Sequence, residues 1–107
     1  MTDKVKIWQN GENIAVEWVN VWGEKSYIEL PLNTRIIYTE NAVIVSATAI
    51  TNTGLTFAVP KTKIKNAHDD GEKLYIQTPH GTHIYDMRRG KKIKFVSNAG
   101  DEYYFMD

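Results

Sequence analysis

LYIQTPHGTHIYDMRRGKKIKFVSNAGDEYYFM, residues 74–106, decides the fold class. Four short runs alternate apolar and polar side chains: LYIQT (74–78), HIYDM (83–87), KIKFV (92–96) and EYYFM (102–106). They recur about every ten residues, and Pro79, Gly81, Gly90 and Asn98–Gly100 lie between them. A side-chain period of two belongs to strands, and turn residues at this spacing join antiparallel ones.

The pattern extends back to the start of the chain. Val5 and Ile7 alternate with Lys4 and Lys6 before the Asn10-Gly11 reversal, a strong hairpin signal. Ile14, Val16 and Trp18 share one face, with Glu17 on the other. KSYIEL (25–30), closed by Pro31, and RIIYT (35–39) are further short runs. VIVSATAI (43–50) is β-branched and apolar on both faces, so it reads as one central strand covered on both sides. After Thr53-Gly54, Leu55, Phe57 and Val59 share a face until Pro60 stops the run. KTKIKNAHDDG (61–71) has room for one helical turn before Asp70-Gly71. The expected fold is therefore all-β: a single antiparallel domain over residues 1–107, a small β-barrel or sandwich of eight to ten short strands. The oligonucleotide-binding barrel is one candidate.

Composition agrees with one globular domain. The chain has 107 residues, 42% hydrophobic and 24% charged, enough for a single modest core. No apolar run reaches the roughly 18 residues of a membrane span, and the first residues lack the apolar stretch of a secretory signal. The expectation is a cytoplasmic chain with no membrane partner. Absence of cysteine removes disulfides, thiolate zinc sites and cysteine nucleophiles. No Gly-rich phosphate loop appears, and without helices the helix-turn-helix, zipper and zinc-finger modes are excluded.

Catalytic and metal-binding patterns are also missing. Ser26, Ser46 and Ser97 lie in no nucleophile elbow, and Asp69-Asp70 before Gly71 reads as a solvated turn, so no enzyme is expected. His80 and His83, three apart, point to opposite sides of a regular strand. With His68 they match no established ligand spacing, so neither metal nor cofactor is expected.

Charge carries more information. The formal net charge is zero, but residues 61–94 hold nine basic and four acidic side chains, net +5. Arg88, Arg89, Lys91 and Lys92 flank Gly90 at a hairpin tip, with Lys94 on the same face as Lys92. Lys61, Lys63 and Lys65 share a face if their segment is extended. Rows of cations bind phosphate backbones, and aromatic rings stack on unpaired bases. Tyr75, Tyr85, Tyr103 and Tyr104 offer such rings, with Tyr85 inside the basic hairpin. Charged tips also serve simply to prevent edge-to-edge aggregation. Among the tryptophans, Trp18 is in phase with the core, whereas Trp8 and Trp22 fall at exposed positions suited to a protein interface.

GLTFAVPKTKIKN (54–66) resembles a strand-ending motif, aromatic–aliphatic–Pro–Lys–Ser/Thr–x–aliphatic. The motif recurs in small, mostly uncharacterised β-proteins of bacteriophages and mobile elements. Val59, Pro60, Lys61, Thr62 and Ile64 match; the usual tryptophan falls at Ala58, beside Phe57. The resemblance covers roughly a tenth of the chain, implies a phage or mobile-element origin, and brings no catalytic residues. The resulting expectation is a non-catalytic binding module for single-stranded nucleic acid or a nucleoprotein complex. The alternative is a protein-binding inhibitor of a host factor or a virion component, using exposed aromatics. Free strand edges offer a route to homo-oligomers.

Overall fold

The computed structural model describes residues 4–105. All its regular elements are strands, joined in chain order into three antiparallel meanders. The first sheet holds β1 (Lys6–Asn10), β2 (Asn13–Val19) and β3 (Lys25–Pro31). The second holds β4 (Ile36–Tyr38), β5 (Ala42–Val45), β6 (Thr48–Thr51) and β7 (Thr56–Ala58). The third holds β8 (Asn66–Asp69), β9 (Lys73–Thr78), β10 (Gly81–Asp86), β11 (Lys91–Ser97) and β12 (Glu102–Tyr104).

β5 explains how the sheets stack. All four of its residues are buried, yet successive side chains in a strand point to opposite faces. Ala42 and Ile44 join a core with Leu74 and Ile76 of β9 and Tyr85 of β10. Val43 and Val45 join a different core with Val16 and Trp18 of β2. The second sheet is thus the middle layer, with the first sheet on one face and the third on the other. Fully burying an Ile, Leu or Val contributes about 1.5–3 kcal/mol, so Val43, Ile44, Ile50, Leu74 and Ile76, each at most 1% exposed, anchor both cores. The single core expected from chain length is in fact two small ones.

The sandwich expectation holds, and among the described residues no barrel closes. Those residues form twelve strands in place of the eight to ten expected, for two local reasons. Residues 43–50 are not one strand but the hairpin β5–β6, with Val45 paired to Thr48 across Ser46-Ala47. Ser46 takes φ 58 to make this turn, a conformation that non-glycine residues seldom adopt. The expected helical turn in 61–71 is absent: residues 61–65 are irregular and Asn66–Asp69 forms β8. Asn and Asp are poor strand formers, but pairing with β9 along a sheet edge carries them into the ladder.

The middle sheet does not cover all of the third. β4 contacts β8 at one side, while on the other side Phe57 of β7 packs on Tyr85 of β10, ring centroids 5.4 Å apart. The β10–β11 turn rests on β7 as well, with Leu55 and Phe57 the nearest side chains to Gly90. β11 and β12 continue past that edge as a wing, and Tyr103 and Phe105 there stay about half exposed (54% and 48%).

A polar clasp ties two layers at one end of the strands. Asp69 accepts hydrogen bonds from the backbone N–H of Asn41 (2.7 Å), its side-chain amide (2.8 Å) and the Gly71 N–H (2.9 Å). Asn52 donates in turn to the Asn41 side-chain oxygen at 3.0 Å. Burial alone would push the Asp69 carboxyl up, but these bonds, with one from Thr39, hold it below its ordinary range.

Candidate nucleic-acid interface

The expected binding residues fall into two groups at opposite ends of the third sheet. Lys65 donates its backbone N–H to Gln77 near the far end of β9. Arg88, Arg89 and Lys91 sit at the other end, where Asp86 pairs with Lys73. Four residues of strand separate those levels, about 13 Å. Lys61, Lys63 and Lys65 are exposed on the irregular 61–65 segment, which is anchored by buried Ile64. They do not join the hairpin tip.

Within the tip, a bulge changes the phase. Ile84 pairs with Lys94 and Tyr85 with Lys92, so Ile93 is an extra residue. An inserted residue moves one side of the strand by one position. Lys92 therefore lies on the face toward the middle sheet and Lys94 on the opposite one, correcting the shared face expected for them. Lys92 Nζ sits 5.2 Å from the Phe105 ring and 5.9 Å from that of Tyr85. Lys94 binds Glu102 and lies 5.1 Å over the Tyr104 ring. The hydrogen bond to Glu102 holds the Lys94 ammonium above its ordinary range, and the Glu102 carboxyl is held correspondingly low.

Other cations at the tip have carboxylate partners. Arg88 meets Glu72 at 3.5 Å and Arg89 meets Asp86 at 3.6 Å. The arginine side chains remain 76% and 69% exposed, and pairs of that kind contribute at most about 1 kcal/mol. A phosphate group competes with such partners easily. Arg88 and Arg89 are also oriented by the turn, because the Asp86 carboxylate accepts both of their backbone N–H groups.

Tyr85 does not serve as a stacking platform. It is 3% exposed, packed against Phe57, and burial raises its hydroxyl pKa to about 12. Tyr75 faces the opposite side, stacked on His68 at 4.9 Å. The sequence reading named Tyr103 as a stacking ring but missed the row on the wing's inner face to which it belongs. His83 pairs with Phe95 and Phe95 with Tyr103, and their rings are 4.6 and 6.1 Å apart. Gly81 makes room for it, since a Cβ there would stand 2.9 Å from the Phe95 ring. Burial first, then the electrostatic influence of Lys92 and His80, lower the His83 pKa and so favour the neutral ring. Its Nδ1 is buried with no hydrogen-bond partner. The i, i+2 spacing of Tyr103 and Phe105 was the available signal.

The other chemical candidates are used structurally. Asp70 accepts from the N–H groups of Glu72 (3.0 Å) and Lys73 (2.7 Å), which lowers its pKa. His68 and His83 lie on opposite faces of the sheet, and no cluster of three or more metal-ligating side chains exists among the described residues. Among those residues no helix is long and apolar enough to cross a membrane. Trp8 and Trp22 are exposed as expected, at 41% and 79%. Trp8 lies 6.0 Å from Tyr27 on the outer face of the first sheet, where its partner Ala15 is fully buried. Trp22 stands on the β2–β3 loop, whose backbone N–H groups at Trp22 and Glu24 are capped by Asn20. No family model, curated protein or solved structure matches this chain.

Proposed function

We propose that the protein is a non-catalytic binding module for single-stranded nucleic acid, contacted through the inner face of the β11–β12 wing and the basic tip beside it. The observation that carries this reading is the row His83–Phe95–Tyr103, with Phe105 and Lys92 next to it, at the β11–β12 side of the third sheet's inner face, where Tyr103 and Phe105 stay about half exposed. Exposed rings offer stacking of about 1–3 kcal/mol per base without sequence preference. Arg88, Arg89, Lys91 and Lys92 supply phosphate contacts. The phage or mobile-element resemblance of residues 54–66 fits such a module in a cytoplasmic setting.

Titration with a mixed-sequence oligonucleotide at low salt tests it. Binding should weaken linearly in log–log terms as salt rises. Arg88→Glu with Lys92→Glu should abolish it, while Tyr103→Ala with Phe105→Ala should weaken it and leave the salt slope unchanged. Absence of binding at low salt refutes the proposal. A second reading, docking of a host protein, is favoured by the Trp8–Tyr27 face and the Trp22 loop. It predicts a partner retained at moderate salt and lost on Trp22→Ala.

A further inference from the structure

At the end of the strands away from the basic tip, a cleft of about 330 Å³ opens between the β3–β4 connection, the β5–β6 turn and the 61–65 segment. That volume lies within the range of small-molecule sites, which combine apolar walls with a few placed polar groups. Ile37, Ile44 and Ile64 supply the apolar part, and Ile44 and Ile64 are only 1% and 6% exposed. Arg35 and Lys63 stand in the lining, which includes no carboxylate. The Arg35 guanidinium is oriented by donating from Nη1 to the Ile64 carbonyl. One of its five donors is used this way. Ser46 also lines the cleft, in the left-handed conformation at φ 58. Glycine would relieve that conformation; serine keeps a hydroxyl donor at the lining.

We infer that this cleft binds a small amphiphilic carboxylate, its apolar body on Ile37, Ile44 and Ile64 and its anionic head held by Arg35 and Lys63. Apolar contact alone does not distinguish an acid from an alcohol of equal length; the two cations do, because a carboxylate accepts charge-assisted hydrogen bonds from both. This gives Lys63 a role at a second site, independent of the wing.

The test is a titration of the full chain with octanoate, read by NMR at the isoleucine methyl groups, against octanol and acetate as probes lacking the charge or the tail. Octanoate should give saturable shifts at Ile37, Ile44 and Ile64. Octanol and acetate should bind at least tenfold more weakly. Lys63→Glu, at an exposed position, should leave the rest of the spectrum in place and weaken octanoate at least tenfold. Ser46→Gly should stay folded and weaken octanoate severalfold. Equal affinity for octanol, no saturable shift with octanoate, or undiminished binding by Lys63→Glu would overturn the inference.

Discussion

Val43 on β5 and Tyr103 on β12 both lie in antiparallel strands with side chains alternating between two faces, yet Val43 is fully buried and Tyr103 is 54% exposed. The strand period sets the direction of each side chain. It does not set what stands opposite. Val43 points into the core shared with the first sheet, and its neighbour Ile44 into the core shared with the third. Tyr103 shares a face with Phe95 and His83, at the β12 side of the third sheet. Covered apolar faces hold the fold together, and the half-exposed aromatic rings of the wing are the surface for which nucleic-acid binding is proposed.

The largest expected effect contrasts those two regions directly. Leu74→Ala, at a position fully buried in the third sheet, should cost about 2–5 kcal/mol in urea unfolding. Tyr103→Ala should change stability by no more than about 0.5 kcal/mol, although it weakens oligonucleotide binding. If the wing were a closed core, the two losses would be similar.

Next come the contacts that lock the layers together. A Cβ at Gly54, which has φ +90, would stand 2.2 Å from the Val19 carbonyl oxygen. Gly54→Ala should therefore cost about 1–3 kcal/mol. Asp69→Ala should cost a similar amount, about 1–3 kcal/mol, by leaving the Asn41 and Gly71 donors unpaired. Because the folded-state pKa of Asp69 is lowered, its contribution is present above the unfolded value of about 3.9 and is lost as pH falls through the folded value. The urea midpoint should decline at acid pH, and Asp69→Asn should shallow that decline without removing it, since the Asp70 pKa is lowered as well.

The smallest effect has the opposite sign. Ser46→Gly should stabilise the middle sheet by up to about 1 kcal/mol, because a left-handed non-glycine residue costs roughly 1–2 kcal/mol and glycine's extra chain entropy offsets part of the gain. A loss of stability would mean that the Ser46 side chain carries packing the turn needs.

Much of the fold was legible because local chemistry announced it. Asn10-Gly11 marks the β1–β2 turn, with Gly11 at φ 63, and Gly90 marks the β10–β11 turn at φ 68. The apolar character of residues 43–50 on both faces signalled a doubly covered layer. The β5–β6 turn was hidden because Ser46-Ala47 lacks a turn-forming glycine, proline or asparagine. β8 was hidden because NAHD is a poor strand sequence stabilised by its neighbour. For the site, the cations at the tip could be read, but the reversed phase of Lys92 could not, since a bulge depends on pairing with β10. Nor could the sequence show that Phe57 covers Tyr85 while Tyr103 stays half exposed, because that follows from how far the middle sheet extends.

The most direct test of this account is backbone and aromatic NMR shift mapping with a mixed-sequence single-stranded oligonucleotide at low salt, repeated at high salt. The account predicts shifts concentrated at His83, Phe95, Tyr103, Phe105 and residues 88–92, fading as salt rises. Shifts confined to Trp8, Trp22 and Tyr27, or no shifts at low salt, would contradict it.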